Sequence, residues 1–253
     1  MYNKNKGRKG KGVVAIFGVL LAALLVWLVV SAMTPKPDDT TKKAEYKTIV
    51  DTMPTPTEKV KKTVDDPLLI IVNKNNKVPK DWDADLVALS GNNKVAGVVY
   101  QDLQEMIDDA CEEGYNPIIC SSYRSKERQQ EIYDESVQEY IAQGMSKKAA
   151  KRAASEWISI PGMSEHQLGL AVDIVPVENQ VLDTAQEFNP TQRWFMANCH
   201  KYGFILRYPD GKKNITGIGY EPWHYRYVGK KHAKAMKNLG LCLEEYVEYL
   251  ENN

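Results

Sequence analysis

Histidine is scarce in this sequence: only four of 253 residues carry an imidazole. Any chemistry that needs one must draw on His166, His200, His224 or His232. Cysteine is equally sparse, at four residues, and no two stand in a Cys-x-x-Cys spacing, so these thiols are not assigned to metal. Net charge is missing as well, because 33 Lys and Arg balance 33 Asp and Glu. The first twelve residues hold no acid, only Lys4, Lys6, Arg8, Lys9 and Lys11. Without those five the rest of the chain has 28 basic against 33 acidic residues. That acidic balance excludes nucleic acid as the main partner. No internal repeat is present.

One stretch lacks charge altogether. Val13 to Met33 is 21 residues without a charged side chain. At about 1.5 Å per helical residue it can cross about 30 Å of hydrocarbon. The basic residues before it are expected to stay in the cytoplasm, which puts everything after it outside. A cleaved signal peptide is the rival. Its apolar core is usually about 7–15 residues, and Ser31-Ala32-Met33 is a poor cleavage site. We therefore expect a cytoplasmic tail (1–12), a single transmembrane helix (13–33) in the cell membrane, and a tether over 34–66. The tether is rich in Thr, Lys, Asp and Pro and too poor in apolar groups to fold. The extracytoplasmic domain is then 67–253, expected as a monomer. On the outer side, Cys111, Cys120, Cys199 and Cys242 permit two disulfides in three connectivities, or four free thiols.

Within the domain, Leu68–Val72 reads as a strand before a turn. Val98 to Glu113 has helical spacing (Leu103, Met106, Ile107, Ala110) with Gly114 as its stop. Pro117 to Ser122 reads as a strand. Ser125 and Ser146 cap helices reaching to about Ala142 and Trp157, and Asn189-Pro190 opens one that ends at Gly203. Strands follow at Phe204–Tyr208 and Trp223–Val228, with two closing helices at His232–Leu239 and Leu243–Leu250. The pattern predicts an α+β fold with a small, mostly antiparallel sheet and helices packed around it.

Two segments carry candidate chemistry: Ser164-Glu165-His166-Gln167-Leu168-Gly169-Leu170-Ala171-Val172-Asp173 and Glu221-Pro222-Trp223-His224. Together they offer two imidazoles and a carboxylate, with a second carboxylate three residues before the last histidine. Three protein ligands leave a fourth zinc position for water, and the spare glutamate can take its proton. His166 and Asp173 could not share a metal on one continuous strand, where an odd offset puts them on opposite faces. On a helix they sit about 10 Å apart along the axis. Gly169 allows a bend that leaves His166 on a loop and Asp173 on the following strand. Taken singly, His166 is an ordinary loop histidine and Asp173 a carboxylate bonding a turn. It is the pairing of both motifs that raises a metal site. His200 and His232, among lysines on predicted helices, read as surface residues. Arg124, in Tyr123-Arg124-Ser125, can hold a carboxylate bidentately or make a surface ion pair. Tyr202, Tyr208, Tyr220, Tyr225 and Tyr227 read as core or cleft wall, and Trp223 as cleft wall.

Three of these segments together resemble the VanY-type D-alanyl-D-alanine carboxypeptidases: Ser121-Ser122-Tyr123-Arg124-Ser125, Ser164-x-His166-x-x-Gly169-x-Ala171-x-Asp173 and Glu221-Pro222-Trp223-His224-Tyr225-Arg226-Tyr227. The opening Ile71-Val72-Asn73-Lys74 and Asp85-Leu86-Val87 are similar too, so the resemblance covers about Leu68 to Leu239. It implies the small α+β fold shared with the hedgehog signalling domain, and one Zn²⁺ on His166, Asp173 and His224. It also implies Glu221 as catalytic base and Arg124 as the residue that stabilises substrate and the polarised carbonyl. Gln129 and Ser164 would bind the terminal D-alanine. The implied substrate is a peptidoglycan stem peptide or its precursor, cut by D,D-carboxypeptidase action. An L,D-carboxypeptidase and a non-catalytic wall-binding or sensing module are the alternatives. One departure is Ser122, where a glycine is commoner before the tyrosine.

Overall fold

The computed structural model describes residues 66–253. The expected tail, transmembrane helix and all but the end of the tether lie outside the described residues. Among the described residues no helix is long and apolar enough to cross a membrane.

Four strands form the sheet that positions the site. They are β3 (Pro117–Ser121), β4 (Ala171–Pro176), β5 (Phe204–Leu206) and β6 (His224–Tyr227), in the order β3-β4-β6-β5 with every pairing antiparallel. A separate hairpin, β1 (Leu86–Ala88) with β2 (Lys94–Ala96), lies outside it. The α+β expectation is met.

The register decides what each face of the sheet does. Val172 is paired with Tyr225, Asp173 with His224, and Ala171 with Arg226. Directly opposed residues share a face, and neighbours along a strand alternate. Val172, Ile174, Tyr225 and Tyr227 therefore enter one apolar core. Asp173 and His224 point to the other side.

Helix α1 (Gly97–Glu112) covers the core face with Val99, Leu103, Met106 and Ala110, a stripe at helical spacing. Trp194 and Phe195 join it from α4 (Pro190–Asn198), which continues as a 3₁₀ turn over Cys199–Tyr202. Helices α2 (Lys126–Ala142) and α3 (Lys147–Ala154) pack on each other through Tyr133, Val137, Ala150 and Ala154. A short α5 spans Lys213–Thr216. Helices α6 (Lys230–Leu239) and α7 (Leu243–Asn252) close on Leu69, Ile205 and Val228. The local cap signals hold: Ser125, Ser146 and Asn189 each accept a backbone N–H at the start of their helix.

Two expectations change, and the alternatives left open for the cysteines close on free thiols. Leu68–Val72 is not a strand. Pro67–Leu69 makes a 3₁₀ turn capped by Asp66, and the carbonyls of Leu68 and Ile70 accept from the Arg226 guanidinium rather than from a neighbouring strand. All four cysteines are free, Cys199 and Cys242 buried and Cys111 and Cys120 exposed. His232 is not a simple surface residue, because it bridges Tyr246 Oη (2.9 Å) and Asp66 Oδ2 (3.2 Å). His200 is also only half exposed.

Candidate metal centre

The bend predicted between His166 and Asp173 is present. Glu165–Leu168 forms a 3₁₀ turn that ends at Gly169 in the left-handed region (φ 71°), and β4 begins two residues later. A side chain at 169 would also meet Ala96 N at 2.9 Å. Both the dihedral and the close approach of β2 therefore require glycine. Gly169→Ala is expected to cost about 1–3 kcal/mol, read as a lower denaturation midpoint in urea.

His166, Asp173 and His224 come together as the one such cluster found among the described residues, with candidate ligand atoms all within 4.8 Å of one another. His166 Nδ1 lies 2.8 Å from the Ser122 carbonyl. A carbonyl only accepts, so Nδ1 carries the proton and Nε2 offers a lone pair, 3.4 Å from Asp173 Oδ2. His224 faces the other way round. Its Nε2 is 3.6 Å from Glu165 Oε2, and its Nδ1 is 3.1 Å from Asp173 Oδ1. With Glu165 ionised, Nε2 carries the proton and Nδ1 offers the lone pair. Two imidazole lone pairs and a carboxylate thus converge with no hydrogen among them. His166 Nε2 and Asp173 Oδ1 are buried without a hydrogen-bond partner. Buried acceptors left in this way are costly, and a cation satisfies them together. Two nitrogens and one oxygen match the ligand preferences of zinc, so the residues present fit the ion that the sequence implies.

The charges agree. Burial alone would lower His224, but the carboxylates of Asp173 and Glu165 beside it push it up to about 9. The cluster is rich enough in carboxylate to hold a proton there, and a divalent ion takes that proton's place. Burial brings His166 down to about 4, helped by Arg124, which keeps its ring neutral and able to ligate. Burial pushes Glu221 up to about 8, opposed by His224 and Arg124. Its Oε2 stands 3.6 Å from His224 Nδ1, outside the ligand triad but beside it.

Burial favours the neutral form of Glu165. Arg207 and Arg226 nevertheless hold its carboxyl well below the usual carboxylate range. Oε1 receives Arg207 Nε (2.7 Å) and Arg226 Nη1 (2.8 Å), and all three side chains are fully buried. Arg207 continues to Glu244 on α7. Sequence reasoning missed this role for Glu165. The only local signal was a charged residue beside His166, and nothing in the sequence says that two distant arginines enclose it.

A cavity of about 530 Å³ opens on the centre. His166, Asp173, His224, Glu221, Arg124, Gln129 and Trp223 line it, and Tyr208 adds a wall with its ring 4.8 Å from that of His224. Arg124 has a buried Nε without a partner. Gln129 donates Nε2 to Ser159 O at 2.7 Å, which leaves its buried Oε1 unpartnered. Ser164 is buried beside the centre but does not line the cavity. The structure brings His166, Asp173 and His224 together with Glu221 beside them, and seven of the eight candidate site residues line one cleft.

A buried His-Asp-His cluster with an adjacent carboxylate, open to a cavity, defines a metal-dependent hydrolase site. The family model for VanY, D-alanyl-D-alanine carboxypeptidase, matches residues 92–230. A D-alanyl-D-alanine carboxypeptidase of Enterococcus faecalis is 45% identical over 179 residues, covering 71% of this chain and 65% of that protein. Among solved structures, a variant of the vancomycin resistance D,D-pentapeptidase VanY in complex with Zn(II) is 45% identical. It has a TM-score of 0.66 and covers 71% of this chain and 98% of that one. The LdcB LD-carboxypeptidase is 38% identical, with a TM-score of 0.63 over 72% of this chain and 86% of that one. The chain belongs to the VanY D-alanyl-D-alanine carboxypeptidase family.

Proposed function

We propose that this protein is a zinc-dependent D,D-carboxypeptidase that removes the C-terminal D-alanine from peptidoglycan stem peptides, pentapeptide to tetrapeptide. The observation that carries this is the convergence of His166 Nε2, His224 Nδ1 and the Asp173 carboxylate beside Glu221 in one cleft. Zinc, when bound by these three residues, lowers the pKa of water and polarises a carbonyl. Glu221 takes the proton from the attacking water and returns it to the leaving amine. Arg124 stabilises the oxygen on which charge develops, or clamps the terminal carboxylate of the peptide. Gln129 Oε1 accepts a hydrogen bond from the bound peptide and Trp223 walls the cleft, whereas Ser164 does not line the cavity and is given no contact with the peptide.

An L,D-carboxypeptidase is the second reading, supported by the 38% identity to LdcB. Incubation with pentapeptide and tetrapeptide stems, followed by mass spectrometry, separates the two. Release of D-alanine from the pentapeptide alone is expected, and release from the tetrapeptide alone would transfer the assignment to L,D cleavage. A metal chelator is expected to abolish release, and added Zn²⁺ to restore it.

The setting forms part of the same reading. The apolar segment 13–33 anchors the chain once in the cell membrane, N-terminus inside, and the tether holds a monomeric domain against wall precursors outside. Proteinase accessibility of the domain in intact cells tests that orientation, and protection would contradict it.

A further inference from the structure

We propose that Gln192 and Tyr225 clamp the Pro222 carbonyl and so set the distance between the base Glu221 and the metal ligands. Both are positioning residues, and the inference rests on the role given to Glu221 above.

Glu221 and His224 stand at the two ends of one turn and are held unequally. His224 is fixed by the sheet, in register opposite Asp173. Trp223 is fixed too, since its carbonyl accepts Ile174 N. Glu221 precedes the strand, and its backbone has only its N–H to Tyr208 O (3.1 Å) and its carbonyl to His224 N (3.2 Å). Pro222 has no N–H to add. The remaining handle on the turn is the Pro222 carbonyl, and two buried donors hold it.

Gln192 Nε2 donates to Pro222 O at 2.5 Å and to Tyr225 Oη at 2.6 Å, and Tyr225 Oη donates to Pro222 O at 2.9 Å. The hydrogens settle the directions. The amide nitrogen has two, the phenol one and the carbonyl none, so each of the three contacts receives one hydrogen. Reversing the amide would set Oε1 against the Pro222 carbonyl, acceptor to acceptor. The orientation that closes the ring leaves Gln192 Oε1 buried without a partner.

Both side chains are 0% exposed, and neither lines the catalytic cavity. Gln192 lies in the first turn of α4, whose Trp194 and Phe195 are anchored in the main core. A leucine there would bury with no polar group to satisfy, whereas a glutamine requires its bonds. The clamp ties the rigid core to the part of the turn that the sheet does not reach. Misplacing a catalytic group by about 1 Å can cost about a hundredfold in rate.

The test uses the full zinc-loaded chain with Tyr225→Phe and Gln192→Met. The control is Tyr202→Phe, which loses a bond to Asp109 outside the cleft. In solved structures of both clamp variants, Glu221 Oε2 is expected to move by about 1 Å from its 3.6 Å separation from His224 Nδ1. His166, Asp173 and His224 should keep their mutual positions. For D-alanine release, kcat should fall about ten- to a hundredfold, with KM within about twofold and zinc still bound. The control should lower Tm and leave kcat and Glu221 in place. An unmoved Glu221 with unchanged kcat in both variants overturns the clamp, as does a fall in kcat matched by lost zinc. A parent protein that releases no D-alanine would refute the proposed function instead, and the position of Glu221 in the variants would still judge the clamp.

Discussion

Glu221→Ala is expected to abolish measurable release of D-alanine while one zinc stays bound per chain. General acid–base catalysis contributes about 10²–10⁴ in rate, so kcat should fall by that range. The expectation follows from what Glu221 does and does not touch. It is 6% exposed and lines the cavity, and its carboxylate stands 3.6 Å from His224 Nδ1 without belonging to the His166–Asp173–His224 triad. Removing it should therefore leave the ion its three protein ligands and take away the acceptor for the water's proton. Glu221→Gln keeps the shape and removes the basicity, so it should lose nearly as much. Metal content measured alongside product release separates the roles. Lost activity together with lost zinc would make Glu221 a ligand. Full activity without it would point to another base.

Glu165→Ala should be the most destabilising single change near the site. The carboxylate is enclosed by Arg207 and Arg226, all three fully buried. Removing one partner of a buried pair leaves uncompensated charge and costs about 3–5 kcal/mol. For a domain of this size that is roughly 6–20 °C in Tm. The exposed pair Arg128–Glu131 makes a contact of the same length, 2.7 Å, yet Glu131→Ala should leave Tm unchanged, because water screens it. Glu165 is held below its ordinary value, so its contribution is fully present above the usual carboxylate range and is lost as the pH falls toward the depressed value. The same change removes the carboxylate that faces His224 Nε2 at 3.6 Å, and zinc affinity should drop about 10–100-fold. Calorimetry and zinc titration read the two effects separately. A Tm within a degree or two of the parent would show that the arginines find other partners, Glu244 first among them.

The parts of this site that were legible in the sequence are those built by local rules. Ser125, Ser146 and Asn189-Pro190 announce their helices because a cap needs only its neighbours. Gly169 announces its bend because a residue at φ 71° with 2.9 Å of clearance to Ala96 N can be little else. The clustering of His166, Asp173 and His224 was legible because three motifs resembling one family occur in the right order. What stayed hidden depends on contacts between distant segments. Leu68–Val72 is as apolar as a strand, yet its carbonyls go to Arg226, more than 150 residues away. Arg207, Arg226 and Gln192 are polar residues that any reading of the sequence would put at the surface. Only the register of β4 on β6 and the closing of α7 bury the first two with Glu165. The Pro222 carbonyl reveals its importance only once α4 lies beneath it.

The most direct test of the account is anomalous diffraction at the zinc edge from the full chain loaded with one equivalent of Zn²⁺. One peak is expected, about 2 Å from each of His166 Nε2, His224 Nδ1 and an Asp173 carboxylate oxygen, with Glu221 beyond bonding distance. A peak elsewhere, or one that includes Glu221 as a ligand and leaves out either histidine, would contradict it.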